Sequence, residues 1–181
     1  MKKSCCFIGH RTITETPALC DKIKSTVIRL IQEEDVGFFF FGSKSQFNDL
    51  CLKIVSEIKT AYPDIKLVYV RSKERFINQT KKDALLKIYD DTLMPSDIEN
   101  AGKASYVERN QRMIDASDFC VFYFDSRYEP PLKTQFASPS LQFSKSGTMV
   151  AYQYALQRKK NIINLHLNEL TLSQEKSNLF S

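Results

Sequence analysis

The chain lacks both a Gly-x-Gly-x-x-Gly turn and a P-loop. Neither dinucleotide-oxidoreductase nor nucleoside-triphosphatase chemistry therefore has its usual signature. Long hydrophobic runs are missing too. "FFFF" (38–41) is far too short to span a bilayer and "CCFI" too short for a signal-peptide core, so no membrane association is expected. No cysteine pair has metal-ligand spacing. The five cysteines, Cys5, Cys6, Cys20, Cys51 and Cys120, are odd in number and lie in apolar runs or on helix faces. Buried, reduced thiols of a cytoplasmic protein account for them, and no metal or cofactor is expected. Long basic runs are absent as well. The net charge of +5 comes from 26 basic and 21 acidic residues with both signs interspersed. Such a balance permits an anionic partner but does not argue for a nucleic-acid groove, so nucleic acid is not expected as a partner.

What is present reads as one α/β domain. A length of 181 residues suffices for a real core without staples. "SCCFI" predicts a short buried strand. Thr16-Pro17 predicts a helix start, with Thr as cap and Pro at the first helical position. Its apolar stripe is Leu19, Ile23, Val27, Leu30 and Ile31. "VGFFFF" (36–41) is the continuous run expected of a strand covered on both faces. Asn48 is placed to cap a second helix, and "IKLVYV" (65–70) predicts a third strand. "KDALLKIYD" looks helical and "DTLM" predicts a short strand. Ser105-x-x-Glu108 has the form of a capping box. "DFCVFYFD" (118–125) is the strongest strand, followed by a loop of about twenty residues, a length usually tied to function or mobility. A last helix and a last strand follow, with His166 in that strand and read as structural. The β-α-β-α-β order predicts a Rossmann-like, mostly parallel central sheet with helices on both faces. The domain is assigned to 1–167 and a polar tail to 168–181. Composition leaves a homo-oligomer open.

In such a sheet, ligands bind beyond the carboxyl ends of the strands, near the point where strand order reverses. Five loops qualify: Gly9-His10-Arg11, Gly42-Ser43-Lys44, the segments after Arg71 and after Asp125, and Lys145-Ser146-Gly147-Thr148. Three of them set glycine beside hydroxyl or basic residues. Glycine lets a ligand approach the backbone, a helix start offers free N–H groups, and a cation adds full charge, all of which suit phosphate. Gly147 could equally be a helix start and Gly42 a turn glycine. Arg11 has no immediate carboxylate neighbour, which suits an anionic group. His10 is read as orienting the loop or touching a sugar or phosphate, not as a proton shuttle. Asn110 shares a helix face with Tyr106, Val107, Met113 and Ile114, where an apolar residue belongs. A buried amide there needs partners, and Arg109 beside it could reach an anion.

Four blocks, "CCFIGHR", "FFFFGSKSQFNDLC", "GKASYVERNQRMIDASDFCVFYFD" and "KSGTMVAYQYA", together resemble the SLOG superfamily of Smf/DprA and LOG proteins, in its YpsA-like branch. The resemblance runs from residue 4 to about 166. It implies a Rossmann-like fold that binds nucleotide-derived ligands, ADP-ribose- or NAD-like molecules favoured. It carries binding roles onto Gly9, His10 and Arg11, onto Gly42 and Ser43, onto Arg109 and Asn110, and onto Ser146, Gly147 and Thr148. LOG enzymes are phosphoribohydrolases whose late motif ends in a catalytic Glu. The matching position is Ala151, whose methyl cannot move a proton. The expectation is thus a regulatory or signalling module that senses such a ligand and has no catalytic residues. The alternatives are an N-glycosidase using Glu108, Asp125 or Glu129, and a protein-interaction scaffold.

Overall fold

The computed structural model describes residues 1–42, 44–72, 77–96, 98, 104–129 and 146–166. The tail assigned to 168–181 and most of the long loop, 130–145, lie outside the described residues. The chain runs β1 (Lys3–Gly9), α1 (Pro17–Glu34), β2 (Val36–Phe41), α2 (Gln46–Lys59), β3 (Lys66–Val70), α3 (Gln79–Leu86), β4 (Asp91–Leu93), α4 (Ala104–Asp115), β5 (Phe119–Tyr123), α5 (Gly147–Gln157) and β6 (Asn161–Asn164). One six-stranded sheet has the order β4-β3-β2-β1-β5-β6, and every neighbouring pair is parallel. The expected parallel α/β architecture is therefore present. Strand order reverses beside β1: the chain builds outward through β4, then returns to β5 on the other side. That is where a crevice opens in sheets of this kind.

Strand periodicity divides the side chains between two cores. Cys5, Phe7, Phe39, Phe41, Leu67 and Val121 face α1 and α2, meeting Leu19, Ile23, Val27 and Leu30 of the former. The Phe7 ring stacks on Phe39 and Phe41 at 5.9 and 5.2 Å. Cys6, Ile8, Val70, Cys120 and Phe122 face α4 and α5, meeting Met113, Ile114, Ala151 and Ala155. All five cysteines are free thiols. No helix among the described residues is long and apolar enough to cross a membrane. No group of three metal-ligating side chains occurs among them either.

Several local expectations change. Thr16 caps α1 as expected, accepting from the Leu19 amide. The cap of α2 is Ser45, which accepts from the Asn48 amide. Asn48 itself lies one turn inside and is buried. Its amide nitrogen donates to the Phe7 carbonyl at 2.9 Å, and its oxygen accepts from the Gly42 amide at 3.3 Å. Ser105 is inside α4, which starts at Ala104, so it is not that helix's cap. β2 is covered on both faces only in part, because Phe38 is 39% exposed. His166 lies in the turn after β6, not within the strand.

Asn48→Ala removes both partners at once and leaves a buried carbonyl and a buried amide unsatisfied. Each such group costs roughly 1–3 kcal/mol. Urea unfolding followed by circular dichroism is expected to show a loss in or above that range. A loss near zero would mean that water or a backbone shift replaces the amide.

Candidate functional site

The carboxyl edge of β1 is organised by contacts the glycines permit. A methyl group at Gly9 would lie 2.3 Å from the Phe47 ring, so the glycine makes room for α2 and not for a ligand. Phe47 stacks in turn on Tyr123 at 5.6 Å, joining α2 to the end of β5. A methyl at Gly42 would lie 2.8 Å from the Val70 carbonyl oxygen and 2.9 Å from Arg109 Cδ. Gly42 thus gives space to an arginine. At Gly147 an added methyl would meet nothing within 4 Å. Among the glycines of the described residues, this last one alone leaves open backbone, at the start of α5, where Ser146 caps the helix by accepting from the Met149 amide.

Arg109 and Asn110 exchange their expected places. Arg109 is the buried member, on the α4 face shared by Ser105 and Met113. Its Nη1 donates to the Gly42 carbonyl, and its Nε and Nη2 donate to Asn110 Oδ1 at 3.3 and 3.0 Å. Burial depresses its pKa to about 10, so it stays cationic at neutral pH. Asn110 is half-buried and serves as the acceptor. The pair does not reach out from the helix; it fastens α4 to the exit of β2. Ser43 and Lys145 lie outside the described residues, while Lys44 is exposed just before the cap of α2.

His10 and Arg11 part company as well. Arg11 is exposed and makes no ion pair among the described residues. Its carbonyl accepts from the Gln46 amide at 2.9 Å. His10 is only 1% exposed. Its backbone amide donates to the Tyr123 carbonyl at 3.3 Å. Its Nε2 accepts from the Asp125 amide at 2.8 Å, so the ring carries its proton on Nδ1, and burial pulls the pKa below its ordinary value. The Tyr128 ring lies flat on the imidazole, 3.8 Å between centroids and 14° between planes. These bonds join His10 to the loop after β5.

The loop after β5, one of the five expected from strand order, adds Tyr128 and Arg127, which no motif marks, to Asp125. Asp125 Oδ1 accepts from the Arg127 amide at 2.9 Å, the largest cause of its depressed pKa, and pairs with Arg127 Nε at 3.4 Å. Its Oδ2 lies 3.3 Å from His166 Nε2. Phe124 stacks on Tyr152 at 4.5 Å, and Tyr123 meets His166 edge-on at 5.2 Å. The Tyr128 hydroxyl accepts from the Thr12 amide at 3.4 Å, closing the loop onto the β1 exit. The structure therefore joins His10, Arg11 and the 124–129 loop in one corner. Gly42, Arg109 and Asn110 form a second cluster, linked to the first through α2. The signal for Tyr128 was an aromatic beside arginine, "SRYE", just past the strongest strand. Ala151 is buried in the second core, so the position faces hydrophobic side chains, not the crevice.

No family model and no curated protein matches the chain. Among solved structures, it is similar to DNA processing protein A from Helicobacter pylori, whose single-stranded DNA binding mode that structure describes. The TM-score is 0.52 with 17% identity, over 88% of this chain and 63% of that one. The likeness is one of fold. It supports the Rossmann-like expectation; it does not support the YpsA-like branch. The chain spans less than two thirds of that protein's length. The DNA-binding neighbour stands against the expectation of an ADP-ribose- or NAD-like ligand sensor. It overturns equally the expectation against nucleic acid.

Gly9→Ala is expected to destabilise the fold by about 1–3 kcal/mol through overpacking against Phe47. In Gly9→Ala combined with Phe47→Leu, part of that loss should return, because the two sites share one contact. Chemical unfolding of the three proteins measures this. A Gly9→Ala protein as stable as wild type would free the glycine from this packing role.

Proposed function

We propose that the chain binds single-stranded nucleic acid along the carboxyl edge of its sheet, across the corner formed by His10, Arg11, Lys44, Arg127 and Tyr128. The observation that carries this reading is the half-buried Tyr128 ring, backed by the His10 imidazole and flanked by exposed cations. Single-strand binding without sequence preference needs these two elements: an aromatic surface for a base and positive charge for the backbone. The Phe124–Tyr152 stack extends the aromatic surface toward α5. The open N-terminus of α5 at Gly147 and Thr148 suits a phosphate further along the strand. The DNA-binding neighbour of the same fold supports the choice of polymer over free nucleotide. The four sequence blocks still favour the YpsA-like branch, and the free thiols suit a cytoplasmic setting.

Fluorescence anisotropy with a labelled oligothymidylate, longer than the site sizes of about 4–16 nucleotides usual for single-strand binders, tests the reading. Tyr128→Ala is expected to lose about 1–3 kcal/mol of binding, the range for one stacked base, with Tyr128→Phe near wild type. Arg11→Ala should flatten the salt dependence by about 0.7 in log–log slope, the share of one phosphate contact on a single strand. Absence of binding at low salt, or wild-type affinity in Tyr128→Ala, would contradict it.

A further inference from the structure

We propose that His10 is an acid-sensitive pin, whose protonation at Nε2 releases the loop after β5 and with it the Tyr128 ring. The proposal rests on the reading above only for the consequence on binding; the pin itself rests on geometry. The Asp125 amide donates to Nε2 at 2.8 Å, which requires a bare ring nitrogen there. A proton on that nitrogen sets two N–H groups against each other, and the bond is lost. The other nitrogen offers no rescue. Nδ1 is buried and has no hydrogen-bond partner among the described residues. The charged ring would thus sit in a closed space with both of its donors unmet.

The groups around His10 do not offset this. Asp125 faces it from the β5 exit, but that carboxylate is engaged by the Arg127 amide and side chain and lies 3.3 Å from His166 Nε2. The His166 imidazole acts against a charge on His10, and the Arg11 guanidinium lies next to it in the chain. Tyr123 and Tyr128 contribute rings at neutral pH, and α2 contributes the untitratable Phe47 and Gln46. Burial, the largest influence, holds the His10 pKa below its ordinary 6.5. The sign follows. With the folded pKa below the unfolded one, the pinned state is fully favoured above about pH 6.5 and loses that advantage as pH falls through the folded value. Among the described residues, one 3.4 Å bond at Thr12 ties the loop to the β1 exit beyond the His10 bond and stack; Phe124 stays held by Asn164 at 3.0 and 2.9 Å and Asp125 lies 3.3 Å from His166, so the segment released begins after Phe124.

Hydrogen exchange of the Asp125 amide, followed by NMR and corrected for the intrinsic pH effect, tests the pin without any nucleic acid. Between about pH 7.5 and pH 5, wild-type protection should fall, approaching tenfold per pH unit below about pH 6.5 and levelling off once pH passes the lower His10 value of the pinned state. His10→Gln offers Oε1 to the same amide at every pH, and its protection should stay level. Level protection in wild type, or a parallel fall in His10→Gln, overturns the pin. If His10→Gln does not fold, the wild-type ring nitrogens and the Asp125 amide must titrate with one midpoint; separate midpoints overturn the pin. Oligothymidylate binding is then read over the same range. The ratio of wild-type to His10→Gln Kd should rise as the inverse of the fraction still pinned. No binding by either protein at any pH removes the nucleic-acid reading, while the exchange result still decides the pin.

Discussion

The amide of Asn48 ties three elements at the carboxyl edge. One end holds the carbonyl of Phe7 in β1 and the other holds the amide of Gly42 at the exit of β2, while its own backbone belongs to α2. A parallel sheet leaves the last polar groups of its strands facing the next loop, and buried ones must be paired. Asn48 pairs two of them with one side chain. The rest of the corner is fitted around that point. α2 can approach only because Gly9 has no side chain for Phe47 to meet. Phe47 then sets Tyr123, and the end of β5 delivers Asp125 to His10.

Charge is sorted by burial at this edge. Arg109 spends its donors on the Gly42 carbonyl and Asn110, so it acts as a bolt between α4 and β2. Arg11, Lys44 and Arg127 stay exposed. On the proposed reading, a polyanion would meet the second group, not the first. That division explains how a chain of net charge +5, with no basic run, can still present local positive potential beside an aromatic ring.

Much of the architecture was legible from the residues. The apolar runs of β1, β2, β3 and β5 and the Thr16-Pro17 helix start fell where the structure has them, because burial on both faces and φ-locked starts leave local marks. At the carboxyl edge the residues were legible from the strand ends, while their packing partners were not. Gly9, Gly42, Arg109 and Asn48 looked like ligand contacts or caps, and their partners, Phe47, Val70, Asn110 and Phe7, are set by packing between elements. Spacing along a chain does not show which side chain will fill the space a glycine leaves. His10 could be read as an orienting residue from its position, while its partner is a backbone amide 115 residues away. Tyr128 was passed over because a lone aromatic in a loop has no periodicity to mark it.

The central claim is that single strands lie across the His10–Tyr128 corner, on the carboxyl edge of the sheet. Backbone amide NMR during titration with an unlabelled oligothymidylate tests it most directly. The account predicts the largest shifts at residues 10–12, 44–47 and 124–128, with those around Asp35, Asp118 and Lys160, at the opposite edge, unmoved. Shifts centred on that opposite edge, or none at saturating oligonucleotide, would contradict it.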